Sequence, residues 1–204
     1  MGASFRLYGT VTSPYVRRVR VVALELGLDC DLIDVATEHG QAQLRAVNPL
    51  WKVPAAEIGG EVIFDSRVIV DRLITGHGSD DTIAMPEQGD TKVRNVLTAI
   101  DGVLDALINV FYLSKDGIDP QTSSYLRKHN DRARATMAWL DTTIDDGWFA
   151  ANRRFGLAEL ALVTTVGWMR FRDRYPVEDH AALMRCFERH DDRPSMLATR
   201  PPVS

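Results

Sequence analysis

The chain has 204 residues, 45% hydrophobic and 25% charged, values that suit a folded globular protein and exclude a disordered one. That length accommodates two small domains and a core that needs no disulfide staples. A formal net charge of −4 favours solubility and gives no electrostatic basis for nucleic-acid binding.

Met1 to Gly9 carries one arginine and no apolar run, unlike a secretory leader, and no stretch is expected to supply the roughly 20 apolar residues that span a bilayer. Phe5 to Tyr8, ending at Gly9, reads as a strand. Thr10 to Ser13 is a polar turn, and Pro14 suits the first position of a helix. Val16, Val19, Ala23 and Leu26 then recur at three- and four-residue steps until Gly27 ends the helix. Arg17, Arg18 and Arg20 cluster along it, and a solvated face is expected for them. Leu32 to Val35 alternates as a second strand, completing a β-α-β unit.

Gln41 to Val47 reads as a short helix ended by Asn48-Pro49. Val53 to Ile58 and Glu61 to Phe64 flank Gly59-Gly60 as a hairpin. Asp65 to Thr75 returns to helical spacing. A parallel unit followed by a hairpin and helix implies an α/β domain with one mixed sheet. Gly76 to Gly89 has linker composition. Beyond it the pattern is helical: a stripe from Val93 to Phe111, a helix opened by Asp119-Pro120 and running to Trp148, a third from Gly156 to Trp168, and a fourth within Asp179 to His190. The lone cysteines, Cys30 and Cys186, form no CxxC pair and read as buried thiols in a reducing compartment.

Three segments together resemble the cytosolic glutathione S-transferases, in particular a bacterial subgroup with a serine-type, tau-like motif. Ser13-Pro14-Tyr15-Val16-Arg17-Arg18-Val19-Arg20 is close to the SPYVRKVR that opens the first helix in many bacterial members. Asn48-Pro49-Leu50-Trp51-Lys52-Val53-Pro54 and Asp65-Ser66-Arg67 resemble NPxxKVP followed by E-S-R. Asp101-Gly102-Val103-Leu104-Asp105-Ala106 and the tail from Arg193 to Pro202 resemble one bacterial subgroup. The ordered set spans essentially the whole chain. It implies a thioredoxin-like α/β domain over 1–77, a linker over 78–88 and an all-α domain over 89–204. It also implies a cytoplasmic homodimer, with no membrane or nucleic-acid partner, that conjugates glutathione to small hydrophobic electrophiles in detoxification.

Glutathione carries two carboxylates, an ammonium and a thiol, and the thiolate is the nucleophile. With a free thiol pKa of about 8.5, the protein must supply a donor and positive potential, which a helix N-terminus provides. Ser13 stands at that point. It either caps the helix or donates to the thiolate, and the flanking matches favour donation; Thr10, Thr12 and Tyr8 are rival donors. By resemblance, Val53-Pro54 is a cis-proline turn whose backbone pairs with the cysteinyl segment. Ser66 and Asp65 grip the γ-glutamyl end, although aspartate is shorter than the usual glutamate. Lys52 and His39 lie toward the glycyl carboxylate, each alternatively an ordinary surface residue. Asp101 either reaches the glutathione amine across a dimer interface or is a helix-surface carboxylate. Phe111 and Tyr112 are candidates to line the second-substrate pocket, and Trp51 stands where relatives often have glycine. Gly156-Leu157-Ala158-Glu159 replaces the family's Ser/Thr-x-x-Asp helix start. No metal-ligand cluster is visible and the reaction needs none. A serine, not a cysteine, before Pro14 argues against mixed-disulfide chemistry. Glutathione-dependent peroxide reduction and a non-catalytic glutathione- or partner-binding role are the alternatives.

Overall fold

The structure, a computed structural model of the chain, describes residues 4–78, 82–87 and 89–202. Residues 79–81 and 88 of the expected linker, and 1–3 and 203–204 at the expected domain ends, lie outside the described residues. β1 (Ser4–Gly9) pairs in parallel with β2 (Asp29–Asp34), with Leu7 opposite Leu32 and Gly9 opposite Asp34. Between them α1 (Pro14–Glu25) starts at the capping serine and the proline, as the sequence predicts. A Cβ on Gly9 would lie 2.4 Å from Val16 Cγ2, so only glycine lets the helix approach the strand end this closely.

α2 (Glu38–Val47) starts three residues before the expected Gln41, because the Thr37 hydroxyl accepts from the Gly40 N–H at 3.0 Å. That extra turn has no apolar stripe to reveal it. β3 (Ala55–Ile58) and β4 (Glu61–Phe64) form the expected hairpin. Gly59 and Gly60 have φ of 60° and 84°, the paired left-handed conformation of a tight two-residue turn. α3 (Ser66–His77) follows directly. The sheet order is β2-β1-β3-β4, with β3 antiparallel to both β1 and β4.

Alternation along β1 sends Tyr8 and Leu7 to opposite faces, and both are buried. Tyr8 packs with Val35, Leu44 and Ala55, flanked by Val53 and Phe64. α1 and α3 pack on each other, and Val16 and Val19 of α1 and Ile69 and Leu73 of α3 are all buried. The tail residues Asp192–Ser204 cluster with Met1–Ala84 in this unit. There α8 (Pro194–Ala198), for which the sequence pattern is too short to signal a helix, rests on α1. The expectation for Arg17 and Arg18 is corrected, since they are 3% and 5% exposed and not on a solvated face. Arg17 donates to the Met196 carbonyl at 3.1 Å and to Thr199 Oγ1 at 3.4 Å. Arg193 makes a bidentate bridge to Glu25 at 3.0 and 2.7 Å, and Ser195 also donates to that carboxylate.

A second unit, Met85–Asp191, is all-helical. It contains α4 (Thr91–Lys115), α5 (Ser124–Thr143), α6 (Leu157–Arg172), a short 3-10 turn at Val177–Asp179 and α7 (Ala181–His190). α4 packs on α5 and α6, and α7 on α5 and α6. α6 buries residues all round, including Leu160, Ala161, Val163 and Val166, as a central helix must. α5 stops before the expected Trp148, since Asp145 and Trp148 close a turn by exchanging 2.9 Å backbone bonds. Contrary to the expectation of no such stretch, α4 holds an 18-residue window with mean hydropathy 1.7, apolar enough to cross a membrane by length and composition; half of that window is buried. The expected fold class, a thioredoxin-like α/β domain plus an all-α domain, is the one observed.

Candidate functional site

Strand pairing gathers most of the singled-out residues at one end of the sheet. Gly9, at the end of β1, lies beside Asp34, at the end of β2. The antiparallel register sets Tyr8 opposite Ala55, the start of β3, and Ala55 opposite Phe64, the end of β4. The segments leading to Ser13, His39, Pro54 and Asp65 therefore all leave the sheet at that end, where ligands of open α/β sheets bind. α1, α2 and α3 all start from these segments. Each N-terminus carries roughly half a positive charge, so the potential there favours anions.

Ser13 is half-buried at the cap of α1, where its Oγ accepts from the Val16 N–H at 3.3 Å. Capping uses a lone pair and leaves the hydroxyl proton available, so one serine can cap the helix and donate to a ligand. Tyr8, a rival donor, is 1% exposed and its phenol donates to Glu57. Burial first, then the Glu57 carboxylate, raise its pKa above the usual value and keep it neutral. Thr10 and Thr12 hold their hydroxyls 3.4 Å apart in the same turn.

The Val53-Pro54 peptide is cis. Asn48, 1% exposed, shapes the loop before it by donating from Nδ2 to the Lys52 carbonyl at 2.8 Å and accepting from the Leu50 N–H at 3.0 Å. Lys52 and His39 are both exposed. Trp51, with φ of 54°, is also exposed, and the Arg45 guanidinium lies 4.9 Å from its ring centre. Ser66 is buried at the first position of α3. Asp65 adopts φ 71° and ψ 136° while its Oδ1 accepts from the Arg67 N–H at 2.8 Å. That backbone region is hostile to any side chain.

The glutathione S-transferase N-terminal domain model matches residues 7–80, and the C-terminal domain model matches residues 123–193. The chain belongs to the glutathione S-transferase family. A protein named "Uncharacterized GST-like protein YibF", from Escherichia coli, is 26% identical over 201 residues, covering 97% of this chain and 98% of that protein. The structure is similar to that of a glutathione S-transferase from Methylobacillus flagellatus with glutathione bound, at 27% identity and TM-score 0.83, covering 97% of this chain and 100% of the other. It is likewise similar to a glutathione transferase family member from Pseudomonas fluorescens with bound glutathione, at 29% identity and TM-score 0.81, covering 98% and 100%.

For a glutathione S-transferase, the remaining singled-out residues fall in the helical unit. Asp101 is buried on α4, not on a helix surface. Phe111 is also buried, and the adjacent Tyr112 is 60% exposed with its ring edge-on to Phe111 at 5.1 Å. Trp168 of α6 contacts the Phe111 ring at 5.9 Å. The sequence reading missed three cations over the same ring: Lys115 at 5.4 Å, Arg172 at 5.2 Å and Arg174 at 5.1 Å. The i, i+4 spacing of Phe111 and Lys115 hinted at one of them. The two arginines reach it only through the packing of α6 on α4. Of the cysteines, burial pushes the Cys30 thiol up to about 11 and Cys186 higher still, so neither supplies a ready thiolate.

Proposed function

We propose that the protein is a cytoplasmic, homodimeric glutathione transferase of the serine-type bacterial subgroup, conjugating the glutathione thiol to small hydrophobic electrophiles. The Ser13 hydroxyl keeps its proton and donates a hydrogen bond to the thiolate, and the N-terminus of α1 adds positive potential. The backbone of Val53, ahead of Pro54, pairs with the cysteinyl segment in the manner of an added strand. Ser66 and the first N–H groups of α3 take the γ-glutamyl carboxylate, and Asp65 takes the ammonium. Lys52 and His39 face the glycyl carboxylate, whereas the burial of Asp101 within its own protomer disfavours a reach across the dimer interface. Phe111 and Tyr112 hold the electrophile. On this reading residues 1–77 form the glutathione-binding domain and 89–204 the helical domain.

The observation that carries the proposal is the state of Ser13: it caps α1 as an acceptor, with its donor uncommitted, while Tyr8 is engaged elsewhere. Removing one aligned donor from a developing or bound anion typically costs about 10²–10³ in rate, less where the helix dipole persists. Ser13→Ala should therefore lower kcat/KM for 1-chloro-2,4-dinitrobenzene by about tenfold or more and move its pH profile upward. Glutathione affinity by calorimetry should change far less. A crystal soaked with glutathione that placed sulfur on Thr10 or Thr12, out of reach of Ser13 Oγ, would refute the assignment.

A further inference from the structure

The geometry points to a second substrate that carries an anionic group: we propose that the region walled by Phe111 and Tyr112 selects electrophiles bearing a carboxylate, sulfonate or phosphonate, held by Lys115, Arg172 and Arg174. This deepens the proposed function and rests on Phe111 and Tyr112 holding the electrophile.

Three positive groups lie 5.1–5.4 Å from the centre of one ring, so they sit on the order of one Debye length apart, about 10 Å at 0.1 M salt. The negative face of the ring offsets only part of their mutual repulsion. Among the described residues, no carboxylate forms an ion pair with any of the three. Asp173 lies between the two arginines in sequence, and Asp116 follows Lys115, yet neither bridges to them, while Glu178 is taken by Arg170 at 3.3 Å. The Nε of Arg172 is buried with no hydrogen-bond partner, as is Ser114 Oγ one turn beyond Phe111 on α4. Buried polar groups left without a partner are costly and rare, and each calls for one, which a ligand or a bound water would supply. Arg174 also lines a neighbouring open cavity of about 510 Å³ with Met169, Arg170, Asp173, Tyr175, Pro176 and Glu178; its two carboxylates make it a poor anion site, so the anion is assigned to the Phe111 side of Arg174.

In the reaction this implies, the thiol proton has gone to solvent, sulfur bonds to the ring carbon that bears a halide, and the carbon–halogen bond breaks with the electron pair leaving on the halide. The anionic substituent takes no part in the bonds that change; it fixes the position of the ring.

The decisive experiment separates this site from glutathione. Calorimetry on the full chain without glutathione compares 3,5-dinitrobenzoate with 1,3-dinitrobenzene, which share a ring and differ in the carboxylate. The benzoate should bind at least tenfold more tightly at 50 mM salt, with the preference shrinking at 500 mM. The double variant Lys115→Gln/Arg174→Gln, checked for an unchanged melting curve, should lose most of that preference. Equal affinities, no binding of either probe, or a preference intact in the variant would overturn the proposal. If glutathione titrated separately shows no affinity, the proposed function fails instead, and a benzoate preference that depends on Lys115 and Arg174 still establishes the anion site.

Discussion

Asp65 offers a test in which stability and binding move in different directions. It occupies φ 71° and ψ 136°, a conformation that costs a residue with a side chain about 1–3 kcal/mol. Its Oδ1 partly offsets this by capping α3 through the Arg67 N–H at 2.8 Å. In Asp65→Gly the strain disappears, the exchange of cap costs only about a few tenths of a kcal/mol, and the freer unfolded chain costs about 0.4–1 kcal/mol. The glycine variant should therefore be as stable as the wild type, or up to about 2 kcal/mol more so. Asp65→Ala keeps the strain and loses a cap worth about 1 kcal/mol. The two variants should differ by about 2 kcal/mol, which for a chain of this size is a melting-temperature gap of about 4–8 °C, with glycine higher. Both lose the carboxylate, so both should lose glutathione affinity alike, by about five- to thirtyfold for one charge-assisted contact at an exposed residue. Scanning calorimetry and glutathione titration on the same samples give both readings. Glycine and alanine variants melting together would refute the strain argument, and unchanged affinity in both would remove Asp65 from the glutathione site.

Tyr8→Phe should cost about 1 kcal/mol for the lost bond to Glu57 and leave the pH profile of conjugation in place, the opposite of Ser13→Ala; a profile that moves with Tyr8 would reassign the thiolate donor. Glu25 is held below the usual carboxylate range: burial alone would raise it, but hydrogen bonds from Arg193 and Ser195 and the Arg193 charge together outweigh that. A depressed carboxylate stabilises the fold above its unfolded pKa of about 4.3 and loses that contribution as pH falls through the folded value. Glu25→Gln should thus melt lower at pH 7 and flatten the stability loss below about pH 4.3; parallel wild-type and variant curves would exclude the coupling. Glu159 shows the reverse sign, because burial raises its carboxyl above the usual range even though backbone N–H groups, Phe149 at 2.9 Å and Gly156 at 3.1 Å among them, bond to it. Its contribution is complete below about pH 4.3 and declines as pH rises through the raised value. Glu159→Ala, which strands both N–H groups, should destabilise by about 2–4 kcal/mol in urea titrations, and a loss under about 1 kcal/mol would show that water replaces the carboxylate.

Local chemistry made one side of the molecule legible. Ser13-Pro14, Gly59-Gly60 and Asp65-Ser66 each mark a boundary by the conformation or cap their residue types impose, and each boundary falls where the sequence placed it. The strand register then carries those boundaries to one end of the sheet, so the candidate glutathione residues of the α/β unit were readable because each lies within a few positions of an element's end, whereas Asp101, in the middle of α4, rested on the resemblance alone. Arg17 and Arg18 show where that reading stops. Nothing local says that a tail more than 170 residues later will clasp Arg17 and bury it. The same limit hid the charges around Phe111. An aromatic stripe on α4 is legible by its spacing, but Arg172 and Arg174 join it only through the packing of one helix on another. A site assembled from element termini is written into short motifs, whereas a site assembled from helix faces is written into packing. On the proposed function, the two halves of the conjugation fall on either side of that divide: glutathione would be held by turns and caps, and the electrophile by faces that can change charge without disturbing a single boundary.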